Sequence, residues 1–161
     1  MLRAAVRSVL IVAVLCAGCG PTVDLTKALQ IDVLDSGWFD AGIVNGQNKL
    51  VPAIKIAVKN NSDQKLVVLQ INSGFRHGGE AVRPCHCQER VPPFFRVAPG
   101  ATAGPLLLKS QNGYTGTDQS RQEMLKNTQF VDAKVQLSAK YASLQWVKMG
   151  EYPIERKLLE K

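Results

Sequence analysis

The sequence predicts an all-β protein built as an antiparallel sandwich, and three observations carry that prediction. Apolar and polar residues alternate with a period of two over several separate stretches, the pattern of strands with one buried and one wet face. Short turn signals rich in Asn, Asp, Gly and Pro divide those stretches. A helical signature occurs once, over a few residues late in the chain.

Leu29, Ile31 and Val33 alternate with Gln30 and Asp32, which predicts the first strand. Residues 38–50 contain Asn45-Gly46, a dipeptide suited to the positive φ angles of a tight hairpin turn. Ile54, Ile56 and Val58 then alternate with lysines, Asn60-Asn61-Ser62-Asp63 turns, and Val67, Leu69, Ile71, Ser73 and Phe75 supply the inner face of a returning strand. These two strands read as a hairpin. Residues 76–93 break the pattern with Gly78, Gly79, Pro84, Pro92 and Pro93, so a long loop, or a weak edge strand with a loop at each end, is expected there. Residues 94–97 resume a strand, Pro99-Gly100 turns, and residues 104–109 form another.

Ser120 and Glu123 are spaced as a capping box ahead of Met124 and Leu125, placing one short helix near 118–127. The longest alternation follows: Val131, Ala133, Val135, Leu137, Ala139 and Tyr141 against Asp132, Lys134, Gln136, Ser138 and Lys140. Ala142-Ser143 turns this strand into a partner over residues 144–154, in which Trp146, like Trp38 and Phe39, is expected in the core. About seven short strands with turn-rich joints imply an immunoglobulin-like antiparallel β-sandwich, with a small open barrel as the alternative.

The first residues are of another kind. Arg3 and Arg7 precede the apolar run 9–15, which ends in Cys16-Ala17-Gly18-Cys19. This is the charged, apolar and small-residue order of an export signal, and the run is well short of the roughly 20 residues needed to span a bilayer. Ala17-Gly18-Cys19 resembles the bacterial lipobox, with Cys16 where that pattern usually carries leucine. The resemblance implies cleavage before Cys19, a lipid on its sulfur and, with Gly20 next, the periplasmic face of the outer membrane. Ordinary cleavage after Ala17 or Gly18 is the alternative. The organisation expected is a signal at 1–18, a lipidated anchor and tether at 19–27, and one β-sandwich domain at 28–161.

Hydrophobic residues make up 45% and charged residues 20% of the chain, a composition that supports one packed domain. With Arg3 and Arg7 in the signal, 18 of the 20 basic side chains remain against 13 acidic ones, a surplus of five. Such a surplus aids solubility and favours anionic lipid or another acidic envelope polymer. No nucleic-acid motif is present, and an exported protein meets little nucleic acid.

Gly37-Trp38-Phe39-Asp40-Ala41-Gly42, Asn48-Lys49-Leu50-Val51-Pro52, Gly113-Tyr114-Thr115-Gly116, and Gln145-Trp146-Val147 followed by Tyr152-Pro153-Ile154-Glu155-Arg156 together resemble a family of small proteobacterial lipoproteins with an immunoglobulin-like domain. The resemblance runs through most of the mature chain. It implies the sandwich and the envelope, and transfers no catalytic residue.

Cys85-His86-Cys87, with His77 upstream, is the one constellation with evident chemical potential. Thiolates and imidazoles suit zinc or copper, but one intervening residue makes chelation by both sulfurs awkward. An oxidising compartment favours a Cys85–Cys87 disulfide, which would be strained and easily reduced. Metal at His77, Cys85, His86 and Cys87, or free thiols available to a partner chain, are the alternatives. Arg76, Arg83, Arg90 and Arg96 fall close together in sequence and form a candidate contact for an anionic partner, weighed against an ordinary solvated loop. No nucleophile elbow, phosphate loop or zinc-protease motif occurs, and Asp35, Asp40, Glu80 and Glu89 are only nominal candidates for paired carboxylates. The expectation is a non-enzymatic binding or structural module without a cofactor. A periplasmic metal-binding or redox protein using the Cys85-His86-Cys87 loop is the alternative.

Overall fold

The computed structural model of the protein describes residues 23–78, 95–142 and 145–159. Among these residues the chain forms, in order, α1 (Leu25–Ala28), β1 (Leu29–Val44), β2 (Gln47–Asn60), β3 (Leu66–His77), β4 (Phe95–Val97), β5 (Thr102–Lys109), β6 (Tyr114–Gly116), α2 (Arg121–Lys126), β7 (Ala133–Tyr141) and β8 (Val147–Pro153). One sheet has the order β1-β2-β5, with β6 also pairing β2; the other has the order β4-β3-β7-β8. The chain changes sheet between β2 and β3, β4 and β5, and β6 and β7, which is the crossing pattern of an immunoglobulin-like sandwich. Trp38, Leu50, Ile54, Ile56 and Val58 from the first sheet and Leu66, Leu69, Val135 and Leu137 from the second fill the core.

Asn45 and Gly46 form the β1–β2 turn with φ of 51° and 77°, the left-handed pair a two-residue hairpin needs. The strands they join are longer than the alternation suggests. Register shifts between Val33 and Asp35 and between Asp40 and Ile43 are the reason. An extra residue reverses which side chains face inward, so Leu29 and Trp38 are both buried although they differ in parity.

The expected hairpin of residues 54–75 does not form. Both edges of β2 are occupied, by β1 on one side and by β5 and β6 on the other, so β3 must join the opposite sheet. Asn60 makes the corner. It is fully buried; its Nδ2 donates to the carbonyls of Gln64 at 2.7 Å and Val97 at 3.0 Å, while its Oδ1 accepts from the Ser62 amide at 3.0 Å and hydroxyl at 2.6 Å. A polar residue is therefore retained inside because every hydrogen-bonding group it brings is matched.

Three further placements differ from the sequence pattern. A shift in the β3–β4 pairing between Leu66 and Leu69 turns Leu66 inward and leaves Val67 40% exposed. Val131 precedes β7 and is 43% exposed. Trp146 precedes Val147, the first residue of β8 and an inner neighbour of Ala139, so strand parity directs the indole outward and 42% of it is exposed.

The anticipated tether at 19–27 is partly folded: Asp24 caps α1, accepting from the Thr26 amide at 3.1 Å, and Leu25 is buried. At the other terminus, the Trp38 amide donates to the Lys157 carbonyl at 2.8 Å and the Leu159 amide donates to the Trp38 carbonyl at 3.0 Å. This short parallel bridge covers part of the free edge of β1. α2 carries the expected capping box, with the Ser120 amide donating to Glu123 Oε2 at 2.7 Å and the Glu123 amide to Ser120 Oγ at 3.3 Å.

Candidate functional site

A cavity of about 490 Å³ opens where β3 and β8 end and β7 begins, away from α1. Strand register sets its basic lining, because Arg76 on β3 lies opposite Lys134 on β7, which in turn lies opposite Pro153 on β8. Arg156 closes one side. It donates from Nε and a terminal nitrogen to Asp132 Oδ1 at 3.1 and 2.8 Å, and its guanidinium lies 5.3 Å from the centre of the Phe130 ring. Arg76 donates to Glu151, yet its Nε is buried with no hydrogen-bond partner among the described residues. The site thus combines fixed cations, the Asp132 carboxylate and an apolar floor of Ala133 and Ile154.

His77 lies beside this cavity on the inner side of β3. Its ring stacks against Trp38 at 6.2 Å and meets Tyr114 edge-on at 6.1 Å, within an aromatic cluster completed by Phe130. Its Nδ1 is buried without a partner among the described residues. Among these residues no group of three or more His, Cys, Asp or Glu is placed to hold a metal. Cys19, Arg83, Cys85, His86, Cys87 and Arg90 lie outside the described residues, as do Glu80 and Glu89.

Of the arginines nominated from sequence, Arg76 and Arg96 lie at opposite ends of β3. Arg96 belongs to β4, which pairs beside Leu66 and Leu69, whereas Arg76 is near the last residue of β3. At about 3.3 Å per residue the two are some 25 Å apart along the strand. Their closeness in sequence does not produce a cluster. The wet face of the second sheet instead carries Arg76, Lys134 and Lys148 around Glu151, with Lys140 toward its other end. Lys134 and Lys140 are legible in the polar half of the β7 alternation; Arg156 has no comparable sequence signal.

Hydrogen bonding from Arg76 holds the Glu151 carboxyl below its ordinary pKa, with Lys148 and Lys134 adding to the effect. A hydrogen bond from Lys157 likewise lowers Asp35. Because both carboxyls are more acidic folded than unfolded, their contribution to stability is complete above the ordinary carboxylate range, about pH 4, and is lost as pH falls through the lower folded values. Urea titrations between pH 6 and 2.5 are expected to show falling stability below about pH 4. Glu151→Gln should flatten that fall, and an unchanged slope would remove Glu151 from the account.

Of the carboxylates considered from sequence, the two among the described residues are also engaged. Asp40 accepts from Arg121 Nε at 3.0 Å, and Asp35 pairs with Lys157 Nζ at 2.9 Å. Among the described residues no helix is long and apolar enough to cross a membrane. Comparison of the chain with protein-family models, curated proteins and solved structures finds no match.

Proposed function

We propose that the chain is an envelope lipoprotein, anchored through lipid on Cys19 at the periplasmic face of the outer membrane, whose sandwich acts as a non-enzymatic binding module. The supporting observation is polarity along the strands. The chain enters the fold at Val23 and Leu25, beside the Asn60–Gln64 corner, while the basic cavity lies at the other end of β3. Twelve residues of β3 separate the two ends by about 35 Å, so an anchored molecule presents the cavity away from its point of attachment.

Arg76, Lys134 and Arg156 give that end the chemistry to hold an anionic group of an envelope protein or polymer. The ion-paired state of Asp35, Asp40, Asp132 and Glu151 supports a structural role for these carboxylates. The test follows the full-length protein in cells. Wild type should incorporate labelled palmitate and begin at Cys19 by mass spectrometry, and Cys19→Ser should abolish labelling and leave the membrane fraction. An unmodified wild-type chain beginning elsewhere overturns the anchor. Turnover of a cell-wall or lipid substrate, abolished by a single acidic substitution, overturns the non-enzymatic reading.

A further inference from the structure

The end of the sandwich at which the chain enters carries a second set of exposed groups. Lys65 precedes β3, Val67 is 40% exposed on it, and Arg96 lies on the neighbouring β4. Lys140 is next to the last residue of β7 and Trp146 immediately precedes β8. The Lys140 ammonium lies 5.9 Å from the centre of the Trp146 ring, pairing a half-buried cation with an exposed indole. α1 reaches the same end, where it touches both β7 and β8 and the Asn61 amide donates to the Ala28 carbonyl at 2.8 Å.

Chain length makes this proximity consequential. Only four residue steps separate Cys19 from Val23, and even a fully extended chain spans at most about 14 Å over that interval. Lipid on Cys19 would therefore hold this end of the domain within about 14 Å of the headgroups. That is under two Debye lengths at physiological ionic strength, so charge on this end feels the surface. Indole is suited to the headgroup layer because its apolar ring and polar N–H favour an interface, and lysine and arginine favour anionic headgroups.

We infer that this end is a membrane-contacting surface, with Trp146 at headgroup depth and Lys140, Arg96 and Lys65 facing anionic lipid. The inference rests on the proposed anchor and adds a defined orientation: the domain stands on its anchored end, with its cavity raised away from the bilayer. Lipid headgroups are the favoured occupant because of the short tether and the complementary charge.

The test uses the full mature lipoprotein reconstituted into vesicles of phosphatidylcholine with and without 30% phosphatidylglycerol, with brominated lipid as a fluorescence quencher. Trp38 and Trp146 are the two tryptophans of the chain, and Trp38 is only 1% exposed, so the accessible signal comes from Trp146. The expected result is a blue shift and quenching on the anionic vesicles, absent in Trp146→Phe. Lys140→Glu with Arg96→Glu should weaken the contact by at least about ten-fold, since each surface cation contributes roughly a five-fold effect. Anchored protein whose Trp146 is unquenched on anionic vesicles overturns the inference while leaving the anchor intact. Quenching unaffected by the charge reversals also overturns the assigned face. Failure to recover lipid-modified Cys19 instead identifies failure of the anchor reading.

Discussion

Trp38→Ala is expected to destabilise the domain by about 3–5 kcal/mol, corresponding to a fall in Tm of about 10–20 °C. Trp38 is 1% exposed, and its ring meets Phe130 edge-on at 4.3 Å and Tyr114 at 5.8 Å. Truncation removes that apolar area and leaves a cavity between rings contributed by different elements. The backbone of the same residue bonds Lys157 and Leu159, so collapse into the cavity would also loosen the C-terminal cover of β1. Trp146→Ala is the internal comparison. With Trp146 42% exposed outside the core, its loss should change stability by no more than about 0.5 kcal/mol in urea unfolding. Equal losses for the two variants would contradict their placements.

That contrast shows what a one-dimensional pattern can and cannot carry. Both tryptophans suit a core by composition, and what separates them is strand parity, which the alternation of β7 makes clear but the less regular β8 does not. Ala133, Val135, Leu137 and Ala139 are all buried as their pattern requires. The Asn45-Gly46 hairpin and the Ser120–Glu123 capping box were legible because each depends on local chemistry at fixed spacing. The register shifts in β1 were not, because each extra residue reverses the inward face without a residue type that announces it.

Sheet assignment was the deeper difficulty. A turn signal at residues 60–63 is compatible with a hairpin or with a crossing, and the choice depends on partners contributed by β5 and β6 much later in the chain. Two glycines, Gly113 and Gly37, acquire clear packing reasons only in the folded protein. A side chain at Gly113 would collide with the Leu50 carbonyl, and one at Gly37 would lie 2.8 Å from the Lys157 carbonyl. The candidate site was legible in part for the same reason. Lys134 stands on the wet face of a regular strand, whereas Arg156 reaches the cavity from an irregular segment and Arg96 is carried to the other end by an edge strand.

Asn60→Asp should be among the most damaging isosteric changes in the protein, costing about 3–5 kcal/mol at neutral pH. The substitution keeps the volume but replaces the amide that donates to Gln64 and Val97 with an acceptor carrying a charge, at a position with no solvent exposure. Two carbonyl oxygens would then face a carboxylate, and burial and repulsion would raise its pKa above the unfolded value. The penalty is therefore complete above that raised folded pKa and shrinks as pH falls toward the ordinary carboxylate range, about pH 4, where the neutral acid can donate to one carbonyl again. Asn60→Ala provides the comparison: it leaves the same carbonyls unpaired without adding a charge, so its cost relative to wild type should be about 2 kcal/mol and nearly constant over the same pH range. Urea unfolding of the three proteins between pH 7 and 4.5 distinguishes the cases. A penalty for Asn60→Asp that is small at neutral pH, or no smaller at pH 4.5, would mean that the corner between β2 and β3 opens to water and that Asn60 does not hold the chain as it crosses between sheets.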